Sequence, residues 1–307
     1  ELAPMTILIG PNNSGKTTIL EALYLAPNPF REAPYSTYGA IGVLHSLHKT
    51  LESRGYLFLL RNYIANKAEI KCDDCILTFS KRHQDIVVSF KRSLEPPIGL
   101  GKLEIYSNQQ HAVSEEQLMK DTLFYSSNLR QKAFEFIKDN WASIINLGIG
   151  RKVASQISNF IWENYIDITI EPFTGQLSLN VYLQDGKRIR LGDLGEGVQN
   201  YILIRILYEY LKPGILLWDD IETHMNPKML LGVGRWLSKL VEQGTQVIIT
   251  THSLEATRVI ASLVEGAKIC LTTLEDGVLR VRSLTMKEVE ELHKSGIDVR
   301  ASAEVLV

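Results

Sequence analysis

The octapeptide Gly10-Pro11-Asn12-Asn13-Ser14-Gly15-Lys16-Thr17 constrains this chain more than any other stretch of its sequence. It stands between a short apolar run, residues 6–9, and a helical pattern, residues 16–25, and it matches G-x-x-x-x-G-K-[ST] in the strand, loop, helix context that the pattern requires. Glycines let a backbone turn tightly enough to aim N–H groups at phosphate oxygens, and the helix that starts here adds the positive end of its dipole. Residues Gly10 to Thr18 are therefore the expected phosphate cradle of a nucleoside triphosphate site. Lys16 would reach the β and γ phosphates of ATP, and the Thr17 hydroxyl would ligate Mg²⁺.

Three more apolar runs, 215–218, 247–249 and 269–271, are continuous rather than alternating, as strands buried on both faces are. Helical patterns follow at 228–241 and 254–263, giving the rhythm of a layered α/β domain. Between the halves, residues 33–67 read as helical. Residues 69–105 alternate, with Leu77 and Phe79 set against Ile76, Thr78 and Ser80, which predicts antiparallel strands with one wet face. Residues 128–164 read as helical again, and 167–191 as hairpin text with Asp185-Gly186 as a two-residue turn. The expected fold class is α/β: a P-loop NTPase with a mostly parallel central sheet flanked by helices, carrying an antiparallel β subdomain and an inserted helical lobe. The expected organisation is a single head over 1–307. Its parts are 1–30 with the phosphate loop, 31–112 with a helical segment and the β subdomain, 113–166 as the helical lobe, 167–274 with the second half of the site, and 275–307 as a last strand and helix.

A nucleotide site in an open α/β sheet lies at the carboxyl ends of its strands, so the other strands should end in groups suited to Mg²⁺ and phosphate. The 215–218 run ends in Asp219 and Asp220, and the 247–249 run ends in Thr250-Thr251-His252. Oxygen ligands suit Mg²⁺, which makes Asp219 the second expected metal ligand beside Thr17. Asp220 would orient or deprotonate the attacking water, and His252 would hydrogen-bond the γ-phosphate. A third element, Leu194-Gly195-Glu196-Gly197-Val198-Gln199, opens a helical run and offers a second anion-binding helix end. One triphosphate rarely needs two such cradles within one chain, so this end is expected to serve the nucleotide of a partner copy.

The order GPNNSGKT, LGEGVQ, ILLWDDIETHMNP, ITTHS resembles the SMC/RecF/OLD-like branch of ABC-type ATPases, small prokaryotic P-loop ATPases of DNA repair and anti-phage defence. The resemblance covers most of the chain and is weakest in the insertion. It implies a Walker A site at Gly10 to Thr17, a signature loop from Leu194 through Gly195, Glu196 and Gly197 to Gln199, a Walker B acid at Asp219, a catalytic acid at Asp220 and a switch histidine at His252. It further implies a head-to-tail homodimer with ATP sandwiched between one Walker A and the opposite signature loop. Two departures stand out. Asp220 replaces the usual glutamate and is shorter by one methylene, roughly 1.5 Å of reach, so turnover would be slow or Glu222 would assist. Gly195 replaces the usual serine, which removes a hydroxyl and would weaken dimer closure. The segment Ile221-Glu222-Thr223-His224-Met225-Asn226-Pro227 resembles the OLD-like group rather than transporter ATPases, and a Toprim nuclease domain is not expected in the residues after the last sheet strand.

Composition narrows the rest. With 33 Lys and Arg against 35 Asp and Glu, no global field draws the chain to nucleic acid or membrane, so a DNA or RNA contact would be local. No apolar run approaches the roughly 20 residues that cross a bilayer. No signal peptide is present and three cysteines do not make a disulfide framework, so the expected compartment is the cytoplasm. Cys72 and Cys75 have C-x-x-C spacing but form at most half a zinc site. The leading expectation is an ATP-hydrolysing dimer switch that engages nucleic acid or a nuclease or toxin partner. An ATP sensor with negligible turnover and a transporter ATPase subunit are the alternatives.

Overall fold

A computed structural model of the chain describes all residues except 1, 27, 50, 52, 54, 72–74, 93–102, 106–121 and 160–163. Cys72 of the C-x-x-C pair lies outside the described residues. In chain order the elements are β1 (Met5–Ile9), α1 (Lys16–Leu25), α2 (Gly39–His48), β2 (Lys67–Lys71), β3 (Cys75–Arg82), β4 (Asp85–Arg92), β5 (Leu103–Ile105), β6 (Thr122–Tyr125), α3 (Arg130–Asp139), α4 (Trp141–Asn146) and α5 (Ile149–Ser158). They continue with β7 (Tyr165–Phe173), β8 (Gln176–Leu183), β9 (Arg188–Arg190), α6 (Glu196–Leu211), β10 (Ile215–Trp218), α7 (Pro227–Glu242), β11 (Gln246–Thr251), α8 (Leu254–Leu263), β12 (Lys268–Glu275), β13 (Val278–Leu284), α9 (Met286–Lys294) and α10 (Ala303–Leu306). Where the sequence reading expects one head, the chain divides into two compact units, residues 1–20 with 121–307, and residues 21–120.

The larger unit is built on a six-stranded sheet in the order β13-β12-β1-β11-β10-β6. β1 pairs in parallel with β11 and β12, β10 pairs in parallel with β11 and β6, and only the edge strand β13 is antiparallel. The four apolar runs expected as parallel strands are β1, β10, β11 and β12. β6 is a correction: the 113–166 segment, read as a helical lobe, holds α3, α4 and α5 but also supplies this buried strand. Four residues are too few to show a period, so Thr122-Leu123-Phe124-Tyr125 carries no strand signal of its own.

α6 is buried continuously from Gln199 to Glu209, as a helix with apolar residues on every side must be, and it packs against α3, α5 and β6. Trp218 at the end of β10 meets Tyr125 and Trp236 edge-on at 6.1 and 6.3 Å between ring centroids, and Trp236 meets Tyr201 and Tyr208 at 5.8 and 5.5 Å. Edge-to-face stacking is the favoured geometry of such rings, so this cluster anchors the strand that carries Asp219. The strand-to-helix junctions are fixed by caps. Asn226 accepts the Met229 N–H ahead of Pro227 at the start of α7, and Ser253 accepts the Ala256 N–H at the start of α8. β7, β8 and β9 form a separate antiparallel sheet, with the expected turn at Asp185-Gly186 between β8 and β9 and a further one at Thr174-Gly175.

The smaller unit contains α2 and the antiparallel sheet β2-β3-β4-β5. Its alternation is as expected: Leu77, Phe79, Ile86 and Val88 are buried, and β3 pairs with β4 so that Phe79 faces Val88. The helical text of 33–67 condenses to α2 and two short 3₁₀ turns. The Arg31 guanidinium lies 4.5 Å from the buried Tyr24 ring, and burial pushes the Tyr24 hydroxyl up to about 12.

Candidate functional site

The phosphate loop leaves β1 at Ile9 and closes on the first turn of α1. Gly10 has no room for a side chain, since a Cβ would stand 2.5 Å from the Thr272 carbonyl oxygen and 2.7 Å from Ser14 Oγ. Gly15 turns through φ +82, and Asn13 through φ 61, both in the left-handed region that a tight loop demands. Ser14 Oγ lies 2.8 Å from Thr272 Oγ1, which ties the loop to β12. Lys16 is 5% exposed, and its ammonium donates to the carbonyls of Gly10 at 3.0 Å and Pro11 at 2.8 Å. Burial lowers its pKa from the ordinary lysine value, while Asp220, Asp219 and Glu222 pull it back upward. The charge is therefore held by neutral dipoles at bonding distance, with three carboxylates beyond them.

Thr17 Oγ1 donates to Asp219 at 3.1 and 3.2 Å from the two carboxylate oxygens. Thr250, at the end of β11, fixes both acids: its hydroxyl donates to Asp219 Oδ1 at 2.7 Å and accepts the Asp220 N–H at 2.7 Å. Asp220 turns through φ 48, which lifts it out of the line of β10. His252 stands between the two halves, with Nδ1 3.3 Å from Lys16 Nζ and Nε2 3.4 Å from Asp220 Oδ1. An ammonium can only donate, so Nδ1 accepts and the ring proton sits on Nε2, facing the Asp220 carboxylate.

The backbone of His252 is held from both sides. Its N–H donates to Glu222 Oε1 at 2.5 Å, and its carbonyl accepts from Arg300 Nη1 at 2.6 Å. Arg300 comes from the segment between α9 and α10 and is oriented by Asp298, which accepts its Nε at 2.9 Å and its Nη2 at 2.5 Å. The second oxygen of Glu222 is buried without a hydrogen-bond partner among the described residues. Sequence reasoning names Glu222 as a helper to Asp220 and gives no part to Thr250, Asp298 or Arg300. Thr250 was within reach as a hydroxyl beside the acids at a strand end, whereas Arg300 lies 48 residues from its partner and carries no local signal.

The second glycine-bearing loop stands elsewhere. Gly195 caps α6 with nothing within 4 Å of a built Cβ, while Gly197 is packed against the 224–225 backbone, a Cβ there standing 2.3 Å from the His224 carbonyl oxygen. Packing alone therefore requires a glycine at 197. Glu196 bridges Arg130 at 3.3 Å and His224 at 2.7 Å, and the Gln199 amide donates to the Leu194 carbonyl at 2.6 Å. The cavity at the phosphate loop, about 580 Å³, is lined by residues 12–18, His252 and Leu274, and by none of residues 194–199.

The donors present suit Mg²⁺ and a triphosphate. A hydroxyl and a carboxylate within hydrogen-bond distance of each other are hard oxygen ligands, and Mg²⁺ takes one or two of these beside phosphate oxygens and water. Among the described residues no group of three or more His, Cys, Asp and Glu is placed to hold a metal. No helix among the described residues is long and apolar enough to cross a membrane.

By sequence, residues 5–57 and 110–257 match the family described as "AAA domain, putative AbiEii toxin, Type IV TA system". No match is found among curated proteins. Of solved structures, an SMC head bound to the C-winged helix domain of ScpA is 14% identical, covers 94% of this chain and 93% of its own, and has a TM-score of 0.52. An SMC head with an extended coiled coil from Pyrococcus furiosus is 12% identical over 96% of this chain and 94% of its own, with a TM-score of 0.49. The SMC head domain from Thermotoga maritima is 10% identical over 92% of both chains, with a TM-score of 0.44. The first of these establishes a shared fold, the SMC/ABC-type arrangement of a P-loop ATPase head.

Proposed function

Because the chain belongs to this family of AAA-domain P-loop ATPases, we propose that it is a Mg²⁺-dependent ATP hydrolase that works as a nucleotide-gated homodimer. The observation that carries the reading is the meeting of Lys16, His252 and Asp220 in a row beside Thr17 and Asp219, at the carboxyl ends of three adjacent strands. Lys16 and the loop N–H groups, with Asn12, Asn13, Ser14 and Gly15 forming the wall, would grip the β and γ phosphates. Thr17 and Asp219 would hold Mg²⁺, which would supply charge neutralisation on the phosphate oxygens. Asp220 would accept a proton from the attacking water as its oxygen bonds to the γ-phosphorus and the bond to the leaving oxygen breaks. His252, with its one ring proton on Nε2, holds Asp220 in the arrangement seen here, and with nucleotide bound it would turn that same N–H from Asp220 to a γ-phosphate oxygen. Glu222 and Arg300 would keep that ring in register through its backbone, which makes them positioning residues rather than acids or bases.

The signature loop would act on a second copy. Leu194 to Gln199 do not line the cavity of their own chain, yet Gly195 leaves the start of α6 open. That supports closure of two heads around ATP, with Gly195 and the adjoining N–H groups set against the opposite triphosphate. The family description names a toxin of a toxin–antitoxin system, which favours a role in cytoplasmic defence or DNA repair through a nucleic-acid, nuclease or toxin partner. A second reading is supported by Asp220 being shorter than the glutamate usual at its position: closure on ATP, rather than turnover, would then be the output. Phosphate release separates the two. The wild type is expected to show Mg²⁺-dependent release that Lys16→Ala abolishes, and Asp220→Asn is expected to bind ATP, stay dimeric in it and turn over at least about a hundredfold more slowly. Release no greater than the Lys16→Ala background would reject hydrolysis, and a mass that stays monomeric in ATP would reject the dimer.

A further inference from the structure

A second cavity, about 660 Å³, opens between α5, the C-terminal half of α6 and α7. α6 leads into the start of β10 and α7 into the start of β11, so this cavity lies toward the end of the sheet opposite the phosphate loop. Its lining carries five cations, Lys152, Arg205, Lys212, Arg235 and Lys239, against two acids, Glu209 and Glu242. The chain as a whole has a net charge of −2, so a local surplus of three positive charges is a concentrated feature.

The acids present are already engaged. Glu209, 9% exposed, accepts from Lys152 Nζ at 2.7 Å and also from Lys212, and Glu242 accepts from the Ser238 hydroxyl at 3.0 Å. Arg205 is the floor of the cavity and is 3% exposed. Its Nη1 donates to Tyr201 at 3.1 Å and its Nη2 to Gln156, Glu209 stands 4.0 Å away, and its Nε–H has no acceptor among the described residues. The guanidinium lies 4.7 Å from the Trp236 ring centroid, which holds it in one plane. A buried cation with one shared carboxylate at the limit of ion pairing is under-compensated. Arg235 and Lys239, one turn apart on α7, are exposed toward the same space and have no hydrogen-bond or ion-pair partner among the described residues.

A fixed guanidinium floor with four outer cations is the arrangement that recognises phosphate groups. The volume is that of a small-molecule site rather than a track for a strand. We propose that this cavity binds a small anion bearing two or more phosphate groups, at a place separate from the Walker loop. Arg205 lies ten residues along α6 from Gly195, about 15 Å at the rise of a helix, so an occupant would bear on the helix that presents the signature loop.

The probe is inorganic tripolyphosphate titrated calorimetrically into the full chain carrying Lys16→Ala, which removes the principal grip of the Walker loop and makes the result independent of ATP hydrolysis. Saturable binding is expected. Adding Arg235→Gln and Lys239→Gln, both exposed and outside any core contact, should weaken it at least about tenfold, equivalent to about 1.4 kcal/mol, with an unchanged thermal melt. Replacing two equally exposed cations elsewhere, Lys187→Gln and Lys287→Gln, should leave the affinity intact. No saturable heat, an affinity unmoved by the cavity pair, or an equal loss from the control pair would overturn the proposal. So would displacement of tripolyphosphate by a single-stranded oligonucleotide at lower concentration, which would assign the cavity to nucleic acid.

Discussion

Substitution of Arg300 tests whether His252 works through its backbone anchors. Arg300→Ala removes the 2.6 Å bond to the His252 carbonyl and the positive charge that faces Glu222. A hydrogen bond from a charged donor contributes about 1.5–3 kcal/mol, and the carbonyl would be left to water. The His252 ring makes contacts of 3.3 Å to Lys16 and 3.4 Å to Asp220, both near the long limit of hydrogen bonding, so a shift of a few tenths of an ångström breaks one of them. If about half of the lost energy is expressed at the transition state, kcat falls roughly four- to tenfold, while KM for ATP stays within about threefold because the triphosphate contacts belong to the Walker loop. Arg300→Lys keeps a charged donor but not the fork that Asp298 orients, and should recover part of the rate. Glu222→Gln keeps an acceptor for the His252 N–H and should cost only a few-fold, whereas a general base lost to glutamine would cost as much as Asp220→Asn. Steady-state phosphate release at saturating Mg-ATP, with nucleotide affinity measured separately, reads these variants. A kcat unmoved in Arg300→Ala, or rate and affinity falling together with the melting temperature, would refute the positioning argument.

Two further perturbations are distinct. Gly197→Ala must push its Cβ off the His224 carbonyl 2.3 Å away, and overpacking of this kind costs about 1–3 kcal/mol, visible as a melt lowered by several degrees; Gly195→Ser meets nothing within 4 Å, keeps stability and should strengthen ATP-dependent dimerisation, so an unchanged monomer–dimer equilibrium would count against the proposed trans contact. The Arg300 hydrogen bonds hold the Asp298 carboxyl down to about 2 against an ordinary 3.8, so the stability that this group contributes is complete above the ordinary value and is lost as pH falls toward the folded one; urea midpoints between pH 6 and pH 2 should show that acid limb in the wild type and a shallower one in Asp298→Asn.

What the sequence made legible was whatever short-range order determines. The phosphate loop, the paired acids after β10 and the histidine after β11 each sit within a few residues of an apolar strand, and parallel pairing of those strands brings them together without further information. The alternation of β3 and β4 was readable for the same reason, since a half-buried strand writes its faces in alternate residues. β6 was not, because four residues buried on both faces have no period. The Asp298 and Arg300 pair was not, because its meaning lies in where the chain after α9 returns, and two charges spaced by one residue look like any solvated surface.

Gly197 and Glu222 show a harder limit, since residue type does not reveal the backbone contact that each one makes. A glycine beside a helix start suggests phosphate access, and at Gly197 a carbonyl from the 224–225 backbone also leaves no space for a methyl group. A carboxylate two residues from Asp220 suggests a second base, and in the structure Glu222 gives one oxygen to the N–H of His252. Both residues face the backbone of the stretch joining β10 and β11 to their helices. Asp220 is shorter than a glutamate by a methylene, but a backbone turned through φ 48 and pinned by Thr250 carries its carboxylate to 3.4 Å from His252. If that path of the main chain offsets the reach lost in the side chain, the carboxylate is already placed as far forward as the site needs. On that geometry Asp220→Glu would extend the carboxylate into the His252 ring rather than toward water, so lengthening it should slow phosphate release; a faster Asp220→Glu enzyme would mean that side-chain length, not backbone placement, limits turnover here.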